Sequence, residues 1–188
     1  MTIKVGLIPI LWFCLSGLVI AIEDSSQSEG DVEKLLNSLN TAVSQQEAQL
    51  LRKKIWETWF SDHSSRMAVD QFKSALSYFE TNQLEKADKA FSKIISVYPS
   101  YMEAWNKRAT IRYLKGDLQG SLADIQEVLV RQKRHFGALS GAGLIYVALG
   151  DNRRALQLYL QLSEIDPWNE EVSITISVLK HKIYGKLL

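Results

Sequence analysis

The sequence predicts an all-α protein built as a solenoid of helical hairpins. Three observations carry that expectation. Asn82, Gly116 and Gly150 recur at intervals of 34 residues, and Pro99 and Pro167 stand 68 apart, twice that interval. Between those marks, apolar and small residues repeat at helical spacing in two runs per interval. Only three prolines occur in 188 residues, which permits long helices. A fixed period of this size means stacked supersecondary units.

The first element stands apart from the rest. "MTIK" carries one positive charge, and the 18 residues from Val5 to Ile22 carry none. Glu23 then opens the polar run "EDSSQSEGD". A basic start, an apolar core and a polar exit describe a secretory signal peptide over residues 1–21. Val19 and Ala21 supply the small residues for a cut after Ala21, leaving 22–30 as a flexible linker. The rival reading is an uncleaved inner-membrane anchor over residues 5–22, which is at the lower edge of a spanning length and is interrupted by Pro9 and Gly17. Cys14, the single cysteine, lies inside this segment, so a cleaved chain has no thiol and forms no disulfide. Phe13 precedes it where lipid attachment needs a small residue. The expected destination is the periplasm or the exterior.

Composition is ordinary for a globular chain. Lys and Arg number 22 against 21 Asp and Glu, a formal charge of +1, which becomes zero if Lys4 is removed with the signal. No long single-sign block occurs, so no nucleic-acid footprint is expected.

Residues 31–67 read as a helical pair. "DVEKLLNSLN" is the shorter helix; Ser44 and Glu47 form a capping-box pattern, after which Leu51, Ile55 and Trp59 share one face. Trp56, Trp59 and Phe60 add a large apolar payload. The pair reads as a degenerate repeat or cap, with an aromatic docking surface as the alternative. Three units follow, at 68–101, 102–135 and 136–169. In the second, Ala104, Trp105, Ala109 and Tyr113 mark one helix face, and Leu118, Leu122, Ile125, Val128 and Leu129 mark the next. The Gly116-Asp117 step between them is the turn: glycine accepts a positive φ at the first helix's end, and aspartate caps the second helix's start. Ala87, Ser121 and Ala155 sit where the paired helices cross closely. In residues 170–188, Val172, Ile174, Ile176 and Val178 alternate like a strand. Position in the stack and the Asn169-Glu170-Glu171 start favour a capping helix from about Asn169 to Tyr184, stopped by Gly185.

These units resemble the tetratricopeptide repeat, whose signature runs W-x2-L-G-x2-Y, then A-x3-F, then P. The third unit is the closest, with Leu139, Ala142, Gly143, Tyr146, Ala155, Tyr159 and Pro167 in the signature places. The second has Trp105, Ala109, Gly116, Ser121 and Ile125, with Lys133 for the proline. The first has Ala75, Tyr78, Ala87, Phe91 and Pro99, with Gln71 for the tryptophan. The resemblance implies a right-handed superhelix. "AWNKRATIRYLKGDLQGSLADI" and "RHFGALSGAGLIYVALGD" are also similar to small exported repeat proteins of alphaproteobacteria.

The resemblance further implies a concave face made by each repeat's first helix, and a protein or peptide partner lying on it. Its inward places are Val69, Phe72, Leu76 and Phe79 in the first unit, Glu103, Asn106, Thr110 and Tyr113 in the second, and Gly137, Ser140, Leu144 and Val147 in the third. Of these, Glu103, Asn106, Thr110, Tyr113, Ser140, Leu144 and Val147 are the expected partner-binding set. Phe72 occupies the place of a lysine with which some relatives clamp acidic chaperone tails, so that activity is not carried over. Arg108 and Arg112 stand where the signature wants Leu and Tyr. Four apart on one side of a helix, the two could form an anion site; the favoured reading pairs Arg108 with Asp124, three residues past the crossing residue Ser121, and leaves Arg112 solvent-facing or undecided.

No catalytic chemistry is legible. His63, His135 and His181 fall on separate elements, and no metal-ligand spacing, phosphate loop, dinucleotide fingerprint or nucleophile elbow occurs. No cofactor is expected. The expected function is a non-catalytic binding scaffold in the cell envelope. The alternative is an accessory factor of envelope or outer-membrane assembly, or a secreted effector, on the same scaffold.

Overall fold

The computed structural model describes residues 30–61 and 65–185. The expected signal segment over residues 1–21, Cys14 and His63 lie outside them. Among the described residues the chain forms nine helices and no strand. A helix over residues 30–40 (α1) precedes α2 (Gln45–Ser61). Three hairpins follow: α3 (Arg66–Glu80) with α4 (Leu84–Val97), α5 (Met102–Leu114) with α6 (Leu118–Arg131), and α7 (Phe136–Ala148) with α8 (Asn152–Ile165). The last helix is α9 (Glu170–Tyr184). Each of α3 to α8 packs on the next in order, which is the nearest-neighbour arrangement of a solenoid.

The turn inside each hairpin has one geometry three times. Asn82, Gly116 and Gly150, the residues that mark the period, have φ of 56°, 82° and 78°. The residue after each donates its N–H five positions back, Gln83 to Tyr78, Asp117 to Arg112 and Asp151 to Tyr146, closing the preceding helix with a left-handed C-terminal motif. Asp117 and Asp151 then accept from the N–H of Gly120 and Arg154, so one short step ends a helix and begins the next. At the helix crossings, Ala87, Ser121 and Ala155 are fully buried, and the Ser121 hydroxyl donates to the Ala109 carbonyl at 2.7 Å. The alternating stretch at the end is helical, capped by Asn169 and stopped by Gly185 at φ 71°. Helical geometry separates what strand alternation would have put together. Val172 and Leu179 are buried, whereas Ile174 and Val178 are exposed among the polar residues of the outer face, Glu170, Glu171, Ser173, Ser177, His181 and Lys182.

The N-terminal pair is not stacked ahead of the first repeat as a degenerate repeat would be. It lies across the edge where successive hairpins join. At one end, Arg52 meets the buried Asp166 at 2.6 Å, and the Trp168 indole donates to the Ala42 carbonyl. The Asn40 amide donates to the Glu164 carbonyl. In the middle, Arg134 bonds both Glu33 and Asn37. At the far end the Phe60 ring meets Phe72 edge-on, and the Tyr101 hydroxyl donates to the Phe60 carbonyl. Val32, Leu36, Leu39, Ile55 and Trp59 thereby enter the same apolar core as the second and third hairpins. The aromatic payload of α2 faces inward.

Candidate functional site

An open cleft of about 210 Å³ lies between α5 and α7. Asn106, Thr110 and Tyr113 line it from α5, and Gly137, Ser140, Gly141 and Leu144 from α7, with Ala109, Ser121 and Ile125 at the base. It exists because α7 is built of small residues along this side; a side chain at Gly141 would meet Ile125 at 3.3 Å. No lining residue is ionisable at neutral pH. Behind it, the Tyr159 ring lies over Gly143, where an added Cβ would come within 2.7 Å of it. Burial pushes the Tyr159 hydroxyl's pKa up, partly offset by a hydrogen bond with Ser140.

Of the seven residues expected to meet a partner, five line this cleft: Asn106, Thr110, Tyr113, Ser140 and Leu144. Val147 is half-buried and does not line it. Glu103 corrects the expectation most. It is 1% exposed and sealed beneath α2. His135 Nε2 meets its carboxylate at 2.7 Å and the Asn106 amide donates to it at 3.0 Å. The other ring nitrogen, Nδ1, accepts from the Ala138 N–H, which fixes the neutral Nε2–H tautomer as the donor to Glu103. The Trp59 indole stacks on the imidazole at 4.0 Å, and Trp56 stands edge-on to it. Burial opposes charge on Glu103, but the hydrogen bonds from His135 and Asn106, with the nearby Lys107 charge, hold its carboxyl below the usual range. This pair stitches α5 to α7 under α2 and is not a surface. One amide hydrogen of Asn106 is therefore already engaged. Phe72, too, is fully buried, against Phe60, Phe91 and Tyr101.

Arg108 grips Asp124 with two hydrogen bonds, Nε to Oδ2 at 2.8 Å and Nη2 to Oδ1 at 2.7 Å, and reaches Ser92 with its third nitrogen. Arg112 was expected to face solvent. It instead donates to the same Asp124 Oδ1 at 3.0 Å and to the Gly120 carbonyl, because it sits one helical turn beyond Arg108 on the side turned to α6. Asp88 of the preceding hairpin closes the group, with Lys115 at 2.7 Å and Arg112 Nε at 3.8 Å. The cations are consumed by internal carboxylates, which makes this a clasp between hairpins and not an anion site. No group of three His, Cys, Asp or Glu among the described residues could hold a metal ion. No described helix is long and apolar enough to cross a membrane.

Hairpins of one geometry stacked at a 34-residue period, with a cleft between adjacent first helices, define a helical-repeat solenoid. The tetratricopeptide repeat family matches residues 71–101 and again residues 137–167, so the chain carries that repeat on either side of the second unit. A TPR repeat-containing protein of Rhizobium etli is 34% identical over 91 residues, covering 48% of this chain and 45% of that protein. The chain thus matches less than half the length of that relative. Among solved structures, the fold is similar to the first TPR of Spaghetti bound to an HSP90 peptide, with TM-score 0.61 and 18% identity over 64% of this chain and 95% of that one. It is similar also to MamA, with TM-score 0.59 and 15% identity over 79% and 84%. The Sgt2 TPR domain of Aspergillus fumigatus gives a TM-score of 0.57 and 16% identity over 63% and 80%.

Proposed function

We propose that the protein is a non-catalytic scaffold of the cell envelope that holds an uncharged segment of another protein in the α5–α7 cleft. The single observation behind this reading is the cleft itself: about 210 Å³, open, apolar at Leu144 and Ile125, and edged by the hydroxyls of Thr110, Tyr113 and Ser140. That volume is below the few hundred Å³ of a small-molecule site and suits one or two apolar side chains of an extended or helical peptide. A peptide-bound tetratricopeptide structure of similar fold supports the mode of use. The neutral lining, with Phe72 buried in the first hairpin, argues for an uncharged anchor and against an acidic tail.

Peptides selected from a displayed random library on the purified protein test this. Leu144→Glu is expected to abolish their binding while leaving the melting curve nearly unchanged, since Leu144 is 44% exposed. Selected peptides that bind the variant as tightly as the parent overturn the cleft reading. Export rests on the charge-free run and on Val19 and Ala21. The N-terminus of the protein recovered from the envelope is expected at Ile22; a product that keeps Met1 and fractionates with membranes makes residues 5–22 an anchor.

A further inference from the structure

The outer face of α9 combines features that fit one another only when a second copy is turned end for end. Among the described residues, nothing packs on this side of the helix: Ile174 is 63% exposed and Val178 46%. The helix opens with Glu170 and Glu171 and closes with His181 and Lys182. Ile174 and Val178 lie equally far on either side of Ile176, and so do Glu171 and His181, and Glu170 and Lys182. When two helices pack antiparallel about a two-fold axis, residues at similar distances from that axis and on the same side of the contact stripe meet. About Ile176, Ile174 of each copy then meets Val178 of the other; on a 100° helical wheel Glu171 and Lys182 fall on one side of the stripe and Glu170 and His181 on the other, so Glu171 meets the other copy's Lys182 and Glu170 its His181.

The same axis accounts for a second cleft. An open hollow of about 380 Å³ beside Ile174 is lined by Gln45, Pro167, Trp168, Glu170 and Ser173. Tyr184, 57% exposed, lies eight residues after Ile176, and Trp168 lies eight before it. On a 100° helical wheel Tyr184 projects to the same side of the exposed stripe as Glu170 and Ser173. A two-fold that inverts the helix direction keeps that side, so the ring of each copy comes over the hollow of the other. We infer that α9 is the contact of a homodimer, in which two copies pair antiparallel about Ile176 with each Tyr184 seated against the other's Trp168. A different protein would have to supply an apolar pair, a charge order and an aromatic knob at these spacings. A second copy carries them already. One 15-residue helix and one ring per copy make a contact smaller than a standard interface, so the dimer is reversible, with a Kd on the order of tens of micromolar.

Sedimentation velocity of the purified protein over a concentration series up to about 200 µM tests this. A concentration-dependent dimer is expected. Ile174→Glu should leave it monomeric throughout, with an unchanged thermal melt because the residue is largely in solvent. Glu171→Lys and Lys182→Glu should each weaken the dimer about fivefold, since each change recurs twice across the two-fold. Combining them reverses both charges and should restore association. A monomer at every concentration overturns the inference and assigns the face to another protein. So does a dimer that survives Ile174→Glu, or one in which the double charge reversal is no better than the singles.

Discussion

Replacing Asp124 by alanine tests the ion-pair clasp inside the second hairpin, and its size follows from the contacts. The carboxylate is 2% exposed and accepts three hydrogen bonds, two from Arg108 and one from Arg112. Removing it strands the Arg108 guanidinium, whose side chain is only 11% exposed and keeps only the Ser92 hydroxyl and the face of Trp105. Arg112 is twice as exposed and has Asp88 nearby, so it relaxes into water at little cost. Breaking one buried pair by deleting one partner costs about 3 kcal/mol, much of it from the charge left behind. For a chain of this length that is a fall of roughly 6–12 °C in Tm. Arg108→Ala should cost less, about 2 kcal/mol, because Asp124 keeps Arg112. Adding Arg108→Ala to Asp124→Ala should then cost little more, since the stranded charge is gone. Urea unfolding of the wild type, the two single variants and the double variant gives the coupling directly. Single effects that simply add, or an Asp124→Ala variant within about 0.5 kcal/mol of the parent, refute the reasoning.

Two further perturbations follow from the geometry. Glu103 has a folded-state pKa below its ordinary value of 4.5, so its stabilising contribution is full above that pH. Below it the unfolded chain takes up the proton first, and stability falls until the folded carboxyl also protonates. Urea midpoints measured through this acid window should show the loss, and Glu103→Gln should flatten it. Gly143→Ala should cost about 1–3 kcal/mol, because the new methyl group meets the Tyr159 ring at 2.7 Å; Gly141→Ala, at 3.3 Å from the end of Ile125, should be far milder, and calorimetric melts separate the two.

The repeats were legible because their cause is local. A positive φ at positions 82, 116 and 150 demands Gly or Asn, and a short step ended by Asp demands a cap, so the period is written in residue types. The Arg108–Asp124 bond was legible for a related reason: both residues belong to one hairpin, and Ser121 sets their register. Arg112 was missed because its partner was already assigned to Arg108, although a carboxylate has acceptor positions for both. The placement of α2 was not legible. Trp56, Trp59 and Phe60 advertise burial but not against what, and the groove they fill is made by residues more than forty positions away, such as His135 and Tyr101. The same gap hid Glu103, whose concave place is real in the repeat pattern but roofed over in this chain. The alternation from Val172 to Val178 carried the opposite message from the one it suggested. In a helix it leaves two aliphatic residues outside, and these became the most informative surface of the protein.

The position of α1 and α2 also bears on how the chain acquires its shape. A linear solenoid can grow from its first repeat as synthesis proceeds, each hairpin templating its successor. Here the earliest-made helices have their anchorage in Arg134, Asp166 and Trp168, which leave the ribosome about a hundred residues later. Until then the core that takes Leu36, Leu39, Ile55 and Trp59 lacks the third hairpin's share of its residues. The last hairpin therefore completes the first element as well as itself, and the long-range closure joins both ends of the array into one cooperative unit that forms late and is lost together.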